Sequence, residues 1–156
     1  MALTVYIETT IVSYLTALPS RDIVQAAHQQ ITRDWWERRS RFDLFVSQEV
    51  VNEAARGDSA AAGRRLDALR GIPVLTITDE VLAFADRLLR AGTMPENATI
   101  DALHVAVAVL NGLDYLLTWN CSHIANAAIR HRIDQACRDS GFGPPVICTP
   151  EELLED

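Results

Sequence analysis

Short apolar runs and longer amphipathic stretches take turns along the chain. Val5, Tyr6 and Ile7 form a run of strand formers starting at Thr4. A helical pattern then begins at Ile11 and covers residues 11–18, where Pro19 stops it. Ser20 is placed to cap a second helix that runs to about residue 39, with Ile23, Ala27, Ile31 and Trp35 as one stripe. Residues 42–46 read as a strand, and Ser47 caps a helix from Gln48 to about Arg56, ended by Gly57. Residues 60–70 read as another helix, closed by Gly71. Residues 72–77 read as a third strand, placed at a sheet edge by Pro73. Thr78 or Asp79 caps a helix over residues 80–91, which Gly92 terminates.

The loop 93–98 leads to a nearly all-apolar helix capped by Thr99 and ending near Leu110. A strand over 115–118, a helical segment from 124 to about 140 in one or two pieces, and a short strand over 146–148 follow. Thr149 and Pro150 then start a terminal helical turn, with Glu151, Glu152, Glu155 and Asp156 as a solvated acidic tail. Strands that alternate with helices predict an α/β sandwich with a mainly parallel sheet.

In such a sheet the carboxyl ends of the strands face the ligand crevice. Glu8 ends the first strand, Glu53 lies in the helix after the second, and Asp101 lies in the first turn of the apolar helix. Asn120 ends the fourth strand, and His123 follows it. Each acid alone has a plain explanation: Asp101 favours a helix N-terminus, Glu8 can pair with a cation, and Glu53 can be solvated. Asp101 is the most telling, because a carboxylate buried beside an apolar helix is costly unless it is paired or binds metal. Converging carboxylates repel and raise one another's pKa until a cation neutralises them. Oxygen ligands select a hard ion, Mg²⁺ or Mn²⁺, and the chemistry that follows is metal-dependent phosphodiester hydrolysis.

Composition narrows this reading. The chain has 156 residues, 49% hydrophobic and 22% charged, which fits one globular domain. Its formal net charge of −7 argues against a protein that coats nucleic acid, yet allows an acidic metal pocket that touches it locally. All 14 basic residues are Arg, which suits phosphate but also follows from GC-rich codon usage. Three cysteines, Cys121, Cys137 and Cys148, without a C-x-x-C spacing, disfavour a disulfide framework or a zinc site. No apolar run is long enough to span a membrane and no signal-like segment precedes the first strand, so a cytoplasmic location is expected.

Four segments carry a family resemblance. They are Tyr6-Ile7-Glu8-Thr9-Thr10-Ile11-Val12, Val51-Asn52-Glu53, Ile100-Asp101-Ala102-Leu103-His104-Val105-Ala106 and Leu117-Thr118-Trp119-Asn120-Cys121-Ser122-His123. Together they resemble the motifs of PIN domains, and most nearly those of VapC-like toxins of type II toxin–antitoxin systems. The resemblance spans essentially the whole chain and implies a single PIN-like domain over residues 1–156. It implies a three-layer α/β/α sandwich, Mg²⁺- or Mn²⁺-dependent cleavage of RNA, a homodimer and a cognate antitoxin as partner. Carried over by position, Glu8, Glu53 and Asp101 become a metal-binding acidic triad. Thr9 or Thr10 orients the first acid or its water, and Asn120 and His123 fall where relatives carry further polar or acidic groups.

Two departures stand out. The first motif carries Glu8 where the family usually has Asp, and the fourth offers an amide and an imidazole instead of a carboxylate. They motivate a rival reading, a catalytically silent PIN-like module that binds RNA or a protein partner. A phosphatase with an aspartyl nucleophile fits poorly, because Glu8 stands where that Asp is needed. His104, one turn after Asp101, reads as a satisfied core residue, and His123 as nearer the crevice or as a helix cap. The basic, aromatic stretch from Arg33 to Arg41 reads as Trp35 in the core with arginines in solvent, and otherwise as a surface for RNA or a partner.

Overall fold

β1 (Thr4–Ile7) is the axis of the fold. A computed structural model describes residues 2–154, with Glu155 and Asp156 of the acidic tail outside the described residues. β1 lies between β2 (Asp43–Ser47) and β4 (Tyr115–Leu117), and β3 (Val74–Leu75) and β5 (Val146–Cys148) form the edges, in the order β3-β2-β1-β4-β5. All four pairings are parallel, with Tyr6 opposite Phe45 on one side and Leu116 on the other. Val5, Tyr6 and Ile7 are all fully buried. Successive strand residues point to opposite faces, so both faces of β1 are covered, as a three-layer sandwich requires.

The helices are α1 (Thr9–Thr16), α2 (Ile23–Glu37), α3 (Gln48–Ala54), α4 (Ser59–Ala68), α5 (Asp79–Arg90), α6 (Thr99–Leu110) and α7 (Ala127–Asp139), with a 3₁₀ turn over Arg39–Arg41. α5 buries Val81, Phe84, Ala85 and Leu88, an i, i+3, i+4, i+7 face. α6 is closed in on almost every side, with Ala102 and the whole stretch from His104 to Val109 buried. Gly92 (φ 69°) and Gly112 (φ 63°) take left-handed conformations just beyond these two helices, where a side chain would be strained.

Several boundaries move for local reasons. α1 starts two residues earlier than expected because Glu8 itself caps it, accepting from Thr10 N. Asp22, not Ser20, caps α2, and the Ser20 hydroxyl instead accepts from Asp22 N. The apolar stripe of α2 is only partly realised: Trp35 is buried, but Ile23 is 84% exposed. Gln29 and Thr32 are buried there in its place, held by Leu18 O and by Trp119 Nε1. α6 has Ala98 as its cap and no side-chain cap bond, so Thr99 is its first residue. The third strand is short, but lies at the expected edge. Asn126 caps α7, and His123 stands outside that helix.

Candidate active site

The chain leaves β1 toward β2 on one side, while β4 lies on the other, so the strand order reverses between β1 and β4. Side chains following the carboxyl ends of those two strands face the crevice made by that switch. The chain exits are tied together there. Glu8 N donates to Leu117 O at 3.1 Å, and Trp119 N donates to the Thr10 hydroxyl at 2.8 Å.

Glu8 is only 3% exposed. Its Oε1 accepts from the hydroxyls of Thr10 (2.5 Å) and Thr118 (2.6 Å), and its Oε2 from Thr10 N (3.2 Å). Both oxygens of this buried carboxylate therefore have hydrogen-bond partners. Thr118 is bound on both sides, since its oxygen also accepts from Asn120 N.

Glu53 reaches in from the end of α3, which Ser47 places by capping its first turn. Its Oε1 accepts from the Thr9 hydroxyl and from His104 Nε2, each at 2.6 Å. Thr9 therefore serves the second acid, and Thr10 the first. The other oxygen, Glu53 Oε2, takes no hydrogen bond from the described residues. Burial pushes the Glu53 carboxyl up, but the His104 bond and charge, with Thr9 and Arg56, outweigh it and hold the group below its ordinary value. Burial pushes His104 down, but its bond to Glu53 and the charges of Glu8, Glu53 and Asp101 outweigh that and hold it above its ordinary value.

Asp101 forms a second constellation. Its Oδ1 accepts from Asn120 Nδ2 at 3.0 Å, and its Oδ2 pairs with His123 Nδ1 at 2.8 Å. Asn120 is itself fixed, because its Oδ1 accepts from His123 N.

One ligand atom from each of Glu8, Glu53 and His104 lies within 4.8 Å of the others. Two carboxylates, one with an open oxygen, make a donor set that fits Mg²⁺ or Mn²⁺. Asp101 lies outside that group, although near enough for its charge to act on His104. The crevice thus brings together Glu8 and Glu53, with Thr9 and Thr10 supporting them, and sets Asp101, Asn120 and His123 beside them.

His104 is the member that the sequence pattern assigned to the core. It is indeed fully buried, yet it bonds an acid of the crevice. The available signal was an imidazole on an otherwise apolar helix, which needs polar partners somewhere.

The PIN domain family profile matches residues 5–129. The chain belongs to the PIN domain family. That match spans all the crevice residues named above. Among solved structures, this PIN domain is similar in fold to Mycobacterium tuberculosis VapC20, a sarcin–ricin loop cleaving toxin. The two are 18% identical with a TM-score of 0.59, over 76% of this chain and 91% of that one. It is also similar to VapBC2 from Rickettsia felis, solved bound to a DNA fragment from its promoter. Here the identity is 13% and the TM-score 0.59, over 94% of this chain and 98% of that one. A sequence comparison with curated proteins found no match. No helix among the described residues is long and apolar enough to cross a membrane.

Proposed function

We propose that this PIN domain is a metal-dependent endoribonuclease acting as the toxin of a type II toxin–antitoxin pair. The observation that carries the reading is the convergence of Glu8 and Glu53 at the β1–β4 switch, with ligand atoms within 4.8 Å of each other. Family membership and the fold shared with a sarcin–ricin loop cleaving toxin support RNA as substrate. In this reading Glu8, Glu53 and Asp101 hold Mg²⁺ or Mn²⁺. Such an ion supplies a water of lowered pKa and neutralises charge that develops on the phosphate.

The chain's own groups set the stage. Thr10 and Thr118 aim Glu8, and Thr9 and His104 aim Glu53 and hold its carboxyl below the ordinary value. Asn120 and His123 hold Asp101 at the edge of the crevice. The reaction is hydrolysis: a water oxygen bonds to phosphorus, one P–O bond breaks, and the leaving oxygen takes a proton. No side chain becomes covalently attached. An antitoxin, a homodimer and a cytoplasmic location complete the proposal.

The test is cleavage of a mixed pool of structured RNAs with Mn²⁺, Mg²⁺ or chelator, beside Asp101→Asn. The expected result is cutting that requires the metal and is lost in the variant while the variant stays folded. Cutting by folded Asp101→Asn at the wild-type rate overturns the assignment.

One observation favours the silent-module reading. Both oxygens of Glu8 and both of Asp101 are already satisfied by the chain's own donors. A working site is stabilised by saturating Mn²⁺, by about 2.7 kcal/mol at a hundred times Kd. A silent module melts at the same temperature with and without it.

A further inference from the structure

We infer that His104 is a positioning residue that anchors Glu53 through a relay ending at Tyr6 and Ser47, and is not a ligand of the metal. The inference rests on the metal-site reading above and assigns a role within that site.

The geometry of the ring decides between anchor and ligand. His104 is fully buried on α6. Its Nε2 lies 2.6 Å from Glu53 Oε1, and an ionised carboxylate only accepts, so Nε2 carries a proton. Its Nδ1 lies 2.6 Å from the Tyr6 hydroxyl, which lies 2.7 Å from the Ser47 hydroxyl. Both ring nitrogens are therefore engaged. A ligand nitrogen needs a free lone pair aimed at the ion, and neither nitrogen offers one. The closeness of His104 to Glu8 and Glu53 makes it resemble a ligand; its hydrogen bonds make it a strut.

The relay also explains where Glu53 points. Tyr6 sits on the central strand, Ser47 is the N-cap of α3, and Glu53 lies in its last turn. His104 thus braces the far end of the same short helix whose start Ser47 fixes. With Oε1 held by His104 and Thr9, Oε2 is the oxygen left for a cation. Partners that orient a metal-binding group commonly change affinity by about 10–100-fold when removed.

The test measures ion binding by the full-length protein, separately from cleavage. Mn²⁺ affinity is read from the free-ion EPR signal and Mg²⁺ affinity by competition, for wild type, His104→Leu, His104→Gln and Tyr6→Phe, each checked for cooperative melting. His104→Leu is expected to weaken Mn²⁺ and Mg²⁺ by the same factor, about tenfold or more. His104→Gln, whose amide can still donate to Glu53, regains most of that loss. Tyr6→Phe removes a single oxygen, guards against failure of the larger variants to fold, and weakens both ions by a smaller equal factor.

An imidazole ligand favours Mn²⁺ over Mg²⁺. Selective loss of Mn²⁺ in His104→Leu, or a nitrogen coupling on Mn²⁺ bound to wild type, makes His104 a ligand and overturns the inference. Unchanged affinity in folded variants overturns it as well, and leaves the metal site standing. Failure of the wild type to bind either ion refutes the metal-site reading itself, and the anchor with it.

Discussion

The two sides of the crevice are built differently. Glu53 is held by side chains from regular elements, Thr9 on α1 and His104 on α6, with Tyr6 of β1 and Ser47 behind. Asp101 is held by Asn120 and His123, both in the irregular segment after β4. The imidazole is fully enclosed on the first side and 35% exposed by side chain on the second. Groups braced by packed elements keep their geometry, whereas groups on loops can be rearranged at low cost. The first side is thus a fixed seat, and the second an adjustable arm.

The largest expected effect comes from removing the residue between the two sides. Glu8→Ala strips the acceptor of two hydroxyls and the cap of α1 together. Cleavage should fall about 100-fold or more, and stability by about 1–3 kcal/mol in denaturant titration. A fully active Glu8→Ala would mean that the two sides work without the acid of β1. His123→Ala tests the arm alone: cleavage should drop about tenfold, with stability within about 0.5 kcal/mol of wild type. Large destabilisation there would show that the arm is as rigid as the seat.

Acidity offers a finer probe of the seat. His104 is held above its ordinary value, so its contribution is complete below about pH 6.5 and fades as pH rises through its folded value. Glu53 is held below its ordinary value, so its contribution is complete above about pH 4.5 and fades as pH falls through its folded value. In chelator, the pair therefore stabilises most between about pH 4.5 and 6.5. His104→Gln should lose the decline on the alkaline side of that window in a pH series of denaturant midpoints. An identical series for wild type and variant would break the pairing.

The smallest effect uses the thiols. Cys121 is exposed and adjoins Asn120 in the arm. Burial pushes Cys137 up to about 11 and Cys148 up to about 12. A thiol reagent should label one cysteine in the native protein and three after denaturation. A label at Cys121 should slow cleavage less than about tenfold and weaken Mn²⁺ less than His104→Leu does, because only the segment that holds Asp101 is touched.

Much of the fold is visible in the local pattern. The strand over residues 146–148 follows the turn at 141–145, and α6 ends at Leu110, where Asn111 and Gly112 stop it. Ser47 caps α3, and Pro73 precedes an edge strand. Caps went astray where the capping group is unusual. Glu8 caps α1 from within the chemistry of the site, and α6 has no side-chain cap at all. Within the crevice, Glu8 and Asp101 stand out in the sequence because one follows a strand and the other opens a helix, whereas Glu53 lies in the last turn of α3. The role of His104 is not visible there, since its two bonds join it to positions 51 and 98 residues away. No spacing rule reports a partner at that distance, and only the closed sheet brings Tyr6 and Glu53 to the two nitrogens of one ring.

The bond between Glu8 and Thr118 spans 110 positions. Seen as an event in time, it means that the first acid is synthesised early and receives its second hydroxyl only after β4 has been made. At about 5–20 residues per second, roughly 5–20 s separate the two. Under the nuclease reading, a growing chain therefore carries an unfinished crevice for most of its synthesis. On that reading the crevice is complete only once β4 and Thr118 have been made.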